Sequence, residues 1–355
     1  MSGAPGAIRP LRLVQVGMGG WGRDWMAVTA ASPDVATVGW VDPSAEARAA
    51  TAARGVDERA LFATLEDAVA ATKPEAALVT TGVKAHVPVA LAALDAGLPV
   101  IVEKPFAPTL EGAVSVVRAA ERAGLTLAVS QNYRWFPAPR MATRLLAEGA
   151  IGEPVAVEVD FRRNLIRRPA ALLARHRDLD HPLLVDMSIH HFDLLRLVLG
   201  REARWVEIEP LNPPGSRYRD PPAAFGLLAF DGIAVSYRGS WVSSGRRTPW
   251  GGEWRVQGSD GALEMATRGE TPDVARLRSP AGRARRLDLP PVPAIDRAGA
   301  LADFVRAVRT GAEPETSGRR NLATLALTLA AVRSATERRR VDIAELLEDL
   351  PEDLR

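Results

Sequence analysis

The chain has 355 residues, 47% of them apolar and 25% charged, the balance of a folded soluble protein and more length than one ordinary core needs. Its 45 cations and 43 anions leave a net charge of +2 with no long single-sign block, which argues against a nucleic-acid partner. Cysteine is absent, excluding disulfides and thiolate metal sites and pointing to the cytoplasm, and no apolar run approaches the roughly 18 residues of a membrane span.

Residues 1–10 are small and polar and lack the apolar stretch of a secretory signal, so they read as a lead-in. Leu11–Val16 is a β-rich run that stops at glycines. A helical stretch follows from Trp21 to Ala31, then a strand at Val35–Val41 and a helix opened by Pro43 and Ser44. Further strands are expected at Ala76–Val79, Val100–Val102 and Leu125–Val129, separated by Ala-rich helices over 84–96 and 109–123. Continuous apolar strands alternating with helices predict an α/β domain whose parallel sheet is covered on both faces.

Within this pattern lies Gly17-Met18-Gly19-Gly20-Trp21-Gly22, a GxGxxG match between a strand and a helix, with Asp42 closing the next strand. That context marks a Rossmann dinucleotide site. Gly17 permits the tight turn, Gly19 lets a pyrophosphate approach the backbone, and Gly22 lets helix and strand pack closely. The helix start offers unpaired N–H groups to the phosphates. Asp42 can accept hydrogen bonds from ribose hydroxyls and would repel a 2′-phosphate, so NAD is favoured over NADP.

Past Gln131-Asn132-Tyr133-Arg134 the pattern changes. A helix over 138–148 leads into alternating strands at Val155–Phe161, Trp205–Ile208, Ala224–Phe230, Ile233–Trp241, Trp254–Gln257 and Ala262–Met265. Hairpin turns fall at Asp231-Gly232 and at Gly258 to Gly261. These strands predict a C-terminal α+β domain with an open, mostly antiparallel sheet. The division expected is a Rossmann domain over 1–130 and a substrate and oligomerisation domain over 131–355, whose closing helix, 318–336, returns towards the first. Tyr133, Trp135, Trp241, Trp250 and Trp254 enrich this half in aromatics suited to sugar faces or to the core. Arg134, Arg162 and Arg163 can bind hydroxyls or a carboxylate.

Two further motifs carry chemistry. Val100-Ile-Val-Glu103-Lys104-Pro105-Phe106 ends a strand, preceded by Thr80-Thr81 and His86. Asp186-Met-Ser-Ile-His190-His191-Phe-Asp193 matches D-x-x-x-H. With the glycine loop, in this order, the chain resembles the glucose–fructose oxidoreductase/inositol dehydrogenase (Gfo/Idh/MocA) family over most of its length. It departs in having His181-Pro182-Leu183-Leu184 where a glycine run often precedes the aspartate, and Thr81-Gly82-Val83 after the fourth strand. The resemblance implies a cofactor site of Gly17, Met18, Gly19, Gly20, Trp21, Gly22, Asp42, Thr80, Thr81, His86, Glu103 and Lys104. It also implies a catalytic set of Lys104, Asp186 and His190 and a homodimer or homotetramer joined through the C-terminal sheet; without cysteines or an HExxH, no metal is expected.

The residue chemistry agrees. Oxidising a secondary alcohol requires hydride transfer to a nicotinamide and removal of the hydroxyl proton. An imidazole such as His190 titrates near neutrality and suits the second task. Asp186, four residues earlier, shares its helix face and can orient the ring or bind a substrate hydroxyl. Only three lysines, Lys73, Lys84 and Lys104, stand among the 45 cations, so a retained Lys points to something Arg cannot supply, such as passing a proton. Asn132 and Arg134, beside the last Rossmann strand, are candidate substrate contacts with Asp186 and His190.

Blander readings stand beside these. Lys104 can be a solvated rim and His86 a capping or core residue, while His191 and Asp193 brace the helix. Asp186 and His190 can pair structurally, or bind a metal with His176 and His181. The function expected is NAD-dependent oxidation of a sugar, inositol or related polyol. The alternatives are a hydrolase or lyase using transient sugar oxidation and a non-catalytic NAD(H)-sensing module.

Overall fold

The computed structural model describes residues 9–166, 179–348 and 350–354. The chain divides into two units, Met1–Asn132 with Arg297–Leu322, and Tyr133–Asp296 with Ala323–Arg355.

In the first unit β1 (Leu11–Val16), β2 (Val35–Val41), β3 (Leu61–Phe62), β4 (Ala76–Val79), β5 (Val100–Glu103) and β6 (Leu127–Ser130) form one sheet in the order β3-β2-β1-β4-β5-β6. Every neighbouring pair is parallel. β4 and β5 are buried throughout, as strands covered on both faces must be. The helix Leu110–Ala123 shows how the connections form. Thr109 caps it by accepting from the Gly112 N–H, Leu110, Ala113, Val116, Val117 and Ala120 make its buried stripe, and Gly124 ends it at φ +64°.

The segment Arg297–Leu322 belongs to this unit, whereas the sequence pattern groups it with everything after residue 130. The reason is the exposed side of β6. The Val129 N–H donates to the Thr316 carbonyl at 2.8 Å, and Ala128 bridges Ser317, covering an edge that would otherwise offer unpaired backbone. Such edge protection leaves no periodicity in sequence.

The second unit holds β7 (Pro154–Arg162), β8 (Ala203–Leu211), β9 (Ala223–Phe230), β10 (Ile233–Ser240), β11 (Glu253–Gly258), β12 (Gly261–Ala266), β13 (Val274–Arg278), β14 (Ala284–Arg286) and β15 (Val341–Asp342). They form a nine-stranded sheet in the order β14-β13-β12-β11-β7-β10-β9-β8-β15. All neighbours are antiparallel except β7 and β10. The turns at Asp231-Gly232 and Ser259-Asp260 link the expected hairpins. Val157, Val159, Phe161, Leu228, Val235, Tyr237 and Trp254 make its buried side. Its open side carries Phe225 and Leu227.

The D-x-x-x-H segment departs from the simple helix expected. Leu183–Ser188 forms a π-helical turn that passes directly into the α-helix Ile189–Leu199. The N–H groups of Leu184 and Val185 both meet the carbonyl of His181, which adopts φ +44° in front of Pro182. Asp186 therefore sits on the wider turn and His190 on the α-helix. Insertions of this kind accompany functional positions in helices. His176 lies outside the described residues. No helix among the described residues is long and apolar enough to cross a membrane.

Candidate active site

The glycine loop is shaped by contacts that leave no freedom for side chains. Gly17 has φ +99°, and a Cβ there would fall 2.6 Å from the Thr81 nitrogen. A Cβ on Gly22 would fall 2.1 Å from the Gly17 carbonyl oxygen, so the helix starting at Gly20 can approach β1 only with glycine there. Gly19 differs: nothing lies within 4 Å of its Cβ position, leaving the backbone open to a ligand. The Thr80 hydroxyl donates to the Gly17 carbonyl at 2.7 Å, and the Gln15 amide donates to the Gly22 carbonyl at 2.7 Å. Gln15 was not visible as a site residue. Its one signal is a polar side chain within the apolar run Leu13 to Val16, where it is fully buried.

Asp42 stands just past β2. One carboxylate oxygen accepts the Met18 N–H at 2.8 Å and the other the Ser44 N–H at 3.0 Å, which fixes the group against the loop while each oxygen keeps a further lone pair. The first helix has neither a side-chain cap nor an acidic residue in its first turn, so its N–H groups remain available to an anion. The Thr81 hydroxyl oxygen is buried with no hydrogen-bond partner among the described residues. An open Gly19, an anion-ready helix start and a fixed carboxylate at the end of β2 fit the pyrophosphate and ribose of a dinucleotide.

At the end of β5 the Glu103 carboxylate is engaged by the protein itself. One oxygen accepts from the Trp25 indole at 2.7 Å, Arg297 at 3.1 Å and the Ser130 hydroxyl at 3.5 Å, and the other accepts the Lys104 N–H at 3.1 Å. Its position, more than its reach towards a ligand, is what these bonds secure. Lys104 follows, 6% exposed, with Nζ 5.6 Å from the Trp21 ring centroid. The Arg297 guanidinium lies 4.8 Å from the same ring. The indole thus meets two cations, a favourable contact for each. His86 lies beneath the two loops, with Nδ1 2.8 Å from the Pro105 carbonyl and Nε2 3.1 Å from that of Thr81. Burial lowers its pKa and favours the neutral ring, which donates to one carbonyl at a time. It braces the backbone on either side of Lys104 and Thr81.

In the second unit His190 is 5% exposed and its ring lies flat on Tyr133, centroids 3.9 Å apart and planes 5° from parallel. The Arg268 guanidinium lies 4.5 Å from the Tyr133 ring centroid and donates to its hydroxyl at 2.9 Å. The next residue, His191, faces inward. Its Nε2 is 3.1 Å from the Trp250 carbonyl, Nδ1 is 3.0 Å from the Tyr237 hydroxyl, and that hydroxyl is 2.7 Å from the Ser188 hydroxyl. Burial pulls His191 down to about 4 and pushes Tyr237 up, so both are neutral near pH 7. A carbonyl only accepts, so Nε2 carries the imidazole proton, Tyr237 donates to Nδ1, and Ser188 donates to Tyr237. Asp193 is a second anchor. It accepts a two-pronged bond from Arg134, at 2.6 and 2.7 Å, and another from Thr324 at 2.9 Å. Arg134 thereby holds the helix, and Trp241 and Trp254 belong to the core.

The predicted residues therefore assemble as two sets. The glycine loop, Asp42, Thr80, Thr81, His86, Glu103, Lys104 and Asn132 lie in the first unit, and Arg134, Asp186 and His190 in the second. Arg297, Arg268 and Tyr237 join these sets from distant sequence and carry no local motif. Among the described residues no three His, Asp or Glu side chains gather as a metal site.

A parallel sheet carrying a dinucleotide cradle is the framework of a nicotinamide-dependent oxidoreductase. Residues 11–131 match the family model described as the oxidoreductase family, NAD-binding Rossmann fold, and residues 140–264 match the GFO/IDH/MocA C-terminal domain. The chain belongs to the Gfo/Idh/MocA family of NAD-binding oxidoreductases. It is 31% identical to a D-apiose dehydrogenase of Paraburkholderia graminis over 77% of this chain and 74% of that protein. It is 28% identical to a 1,5-anhydro-D-fructose reductase of Ensifer adhaerens over 88% and 92% of the two chains. An inositol dehydrogenase homolog from Azotobacter vinelandii, solved with NADH and myo-inositol, superposes with a TM-score of 0.81 at 20% identity, covering 94% of this chain and 98% of that one.

Proposed function

We propose that the protein is an NAD-dependent dehydrogenase of a sugar, inositol-like or related polyol hydroxyl. The observation that carries the reading is His190: a buried imidazole held flat by Tyr133, one turn from Asp186, on a helix anchored by two separate networks. The named activities of the apiose and anhydrofructose enzymes support the same substrate class.

Gly17 to Gly22 and Asp42 hold the dinucleotide, with the Thr81 hydroxyl as a further contact. Held there, NAD would supply the hydride acceptor for oxidation of the carbinol carbon and, as NADH, the hydride donor for the reverse reaction. His190 takes the hydroxyl proton on a ring nitrogen, and Asp186 orients that ring or binds a neighbouring hydroxyl. The Lys104 ammonium stabilises the developing alkoxide and can relay that same proton onward, which a guanidinium is too basic to do. Tyr133 limits the ring to one plane, so that proton removal needs no search over rotamers.

Phe225 and Leu227 are 45% and 52% exposed on the open side of the second sheet, and this face supports assembly as a homodimer or homotetramer. A chain without cysteine needs no oxidising compartment, in keeping with a cytoplasmic enzyme. The test is a panel of sugars and polyols assayed for NADH at 340 nm. Turnover of at least one is expected. NAD binding without NADH from any member would defeat the dehydrogenase reading.

A further inference from the structure

Along β7 the buried side chains are Val157, Val159 and Phe161, and the same alternation carries Arg163 to the buried side of the sheet. Its side chain is 7% exposed, and the guanidinium carbon lies 4.7 Å from the centroid of Trp250, the residue whose carbonyl holds His191. The carboxylate nearest to balancing it, that of Glu270, is 84% exposed and 3.6 Å away, beyond a good hydrogen bond. The Arg163 Nε has no hydrogen-bond partner among the described residues.

Burial pulls the Arg163 pKa below its ordinary value. Glu270 opposes that pull, Arg247 adds to it, and the Tyr133 phenol, stacked on His190, lies within its electrostatic range. The other arginines that drew notice in the sequence are differently placed. Arg162 pairs with Asp160 and Glu253, and Arg134 grips Asp193. A buried guanidinium with so thin a counter-charge among the described residues is costly to keep for packing alone, since an apolar side chain would stack on Trp250 without the desolvation cost.

We propose that Arg163 binds a carboxylate of the substrate, so that the polyol the enzyme takes is a sugar acid of the aldonic, uronic or aldaric class. The planar fork of an arginine matches a carboxylate with two hydrogen bonds, and the aromatic face beneath it fixes its plane. The claim that such an acid is oxidised rests on the dehydrogenase reading above; the claim that it binds at Arg163 does not.

The experiment therefore measures both. NAD-loaded protein is titrated calorimetrically with gluconate, glucuronate and galactarate and with their neutral counterparts sorbitol, glucose and galactitol, and the same compounds are assayed for NADH. At least one acid should bind about 10- to 100-fold tighter than its neutral counterpart, the worth of a charge-assisted pair. Arg163→Met should bring that ratio close to one, and Arg163→Lys should keep part of it. Neutral compounds binding as tightly as the acids, no binding by either class, or an acid preference that survives Arg163→Met overturns the proposal. Acids that bind through Arg163 with no NADH from any compound leave the proposal standing and remove the dehydrogenase reading. NADH from neutral polyols with the acids excluded does the reverse. The wild-type ratio and the Lys variant decide the matter even if the Met variant does not fold.

Discussion

The two units hold their key groups by opposite means. In the first, the cradle is made of backbone: Gly17 and Gly22 interlock so closely that a single added carbon collides, and Gly19 is left bare. In the second, the His190 ring is held by side chains, with Tyr133 on its face and the Tyr237 and Asp193 networks fixing its helix. Backbone shape recognises what is common to every turnover, the dinucleotide. Side-chain networks are replaceable one residue at a time, which suits the half of the molecule that must differ between substrates.

That contrast can be broken by experiment. The largest effect should come from Lys104. Lys104→Arg is expected to keep NAD affinity in a fluorescence titration yet lose turnover by about 10³-fold, some 4 kcal/mol of transition-state stabilisation. Wild-type turnover would take Lys104 out of the chemistry and leave the first unit a cofactor holder only.

Next is a pH dependence to which His191 of the second unit contributes alongside the buried His86 of the first. His191 titrates near 4 when folded against 6.5 in its ordinary state, so the unfolded chain binds the extra proton first as pH falls. Its contribution is complete above about pH 6.5 and lost between there and pH 4, about 3 kcal/mol in all, with no further change below. Urea melts from pH 7 to pH 4 should show this window, and His191→Gln should make it shallower. An unaltered slope in the variant would mean that His191 is not held neutral.

The smallest effects separate two glycines. Alanine usually stabilises a helix relative to glycine by about 1 kcal/mol. Gly22→Ala should instead destabilise by about 2 kcal/mol, because its Cβ meets the Gly17 carbonyl. Gly19→Ala should leave the melting temperature close to wild type and weaken NAD binding, since its Cβ enters open space. Equal behaviour of the two would refute the division of labour within the loop.

The same contrast explains what the sequence made legible. Gly17 to Gly22 and Asp42 could be read because backbone geometry demands glycine at fixed spacing and a carboxylate at a strand end. Glu103-Lys104-Pro105 and the Asp186 to His190 spacing were visible as motifs, yet not the π-turn beneath Asp186, which depends on His181 taking a left-handed conformation. Arg297 on Glu103, Arg268 on Tyr133 and Tyr237 on His191 join residues 194, 135 and 46 positions apart, and nothing local marks them. The role of Arg134 was hidden for the same reason: only its partner, Asp193, shows that it is a brace.

The row from Ser188 through Tyr237 and His191 to the Trp250 carbonyl has one further consequence. Each donor has a single acceptor in it, so its protons can be arranged in only one direction. Such a row is an insulator, because reversing it would require the terminal carbonyl to donate. On the proposed role of His190, protons taken up there would have no path through its neighbour into the core. In nitrogen NMR His191 should appear as one fixed tautomer, protonated at Nε2, whatever the state of the histidine beside it.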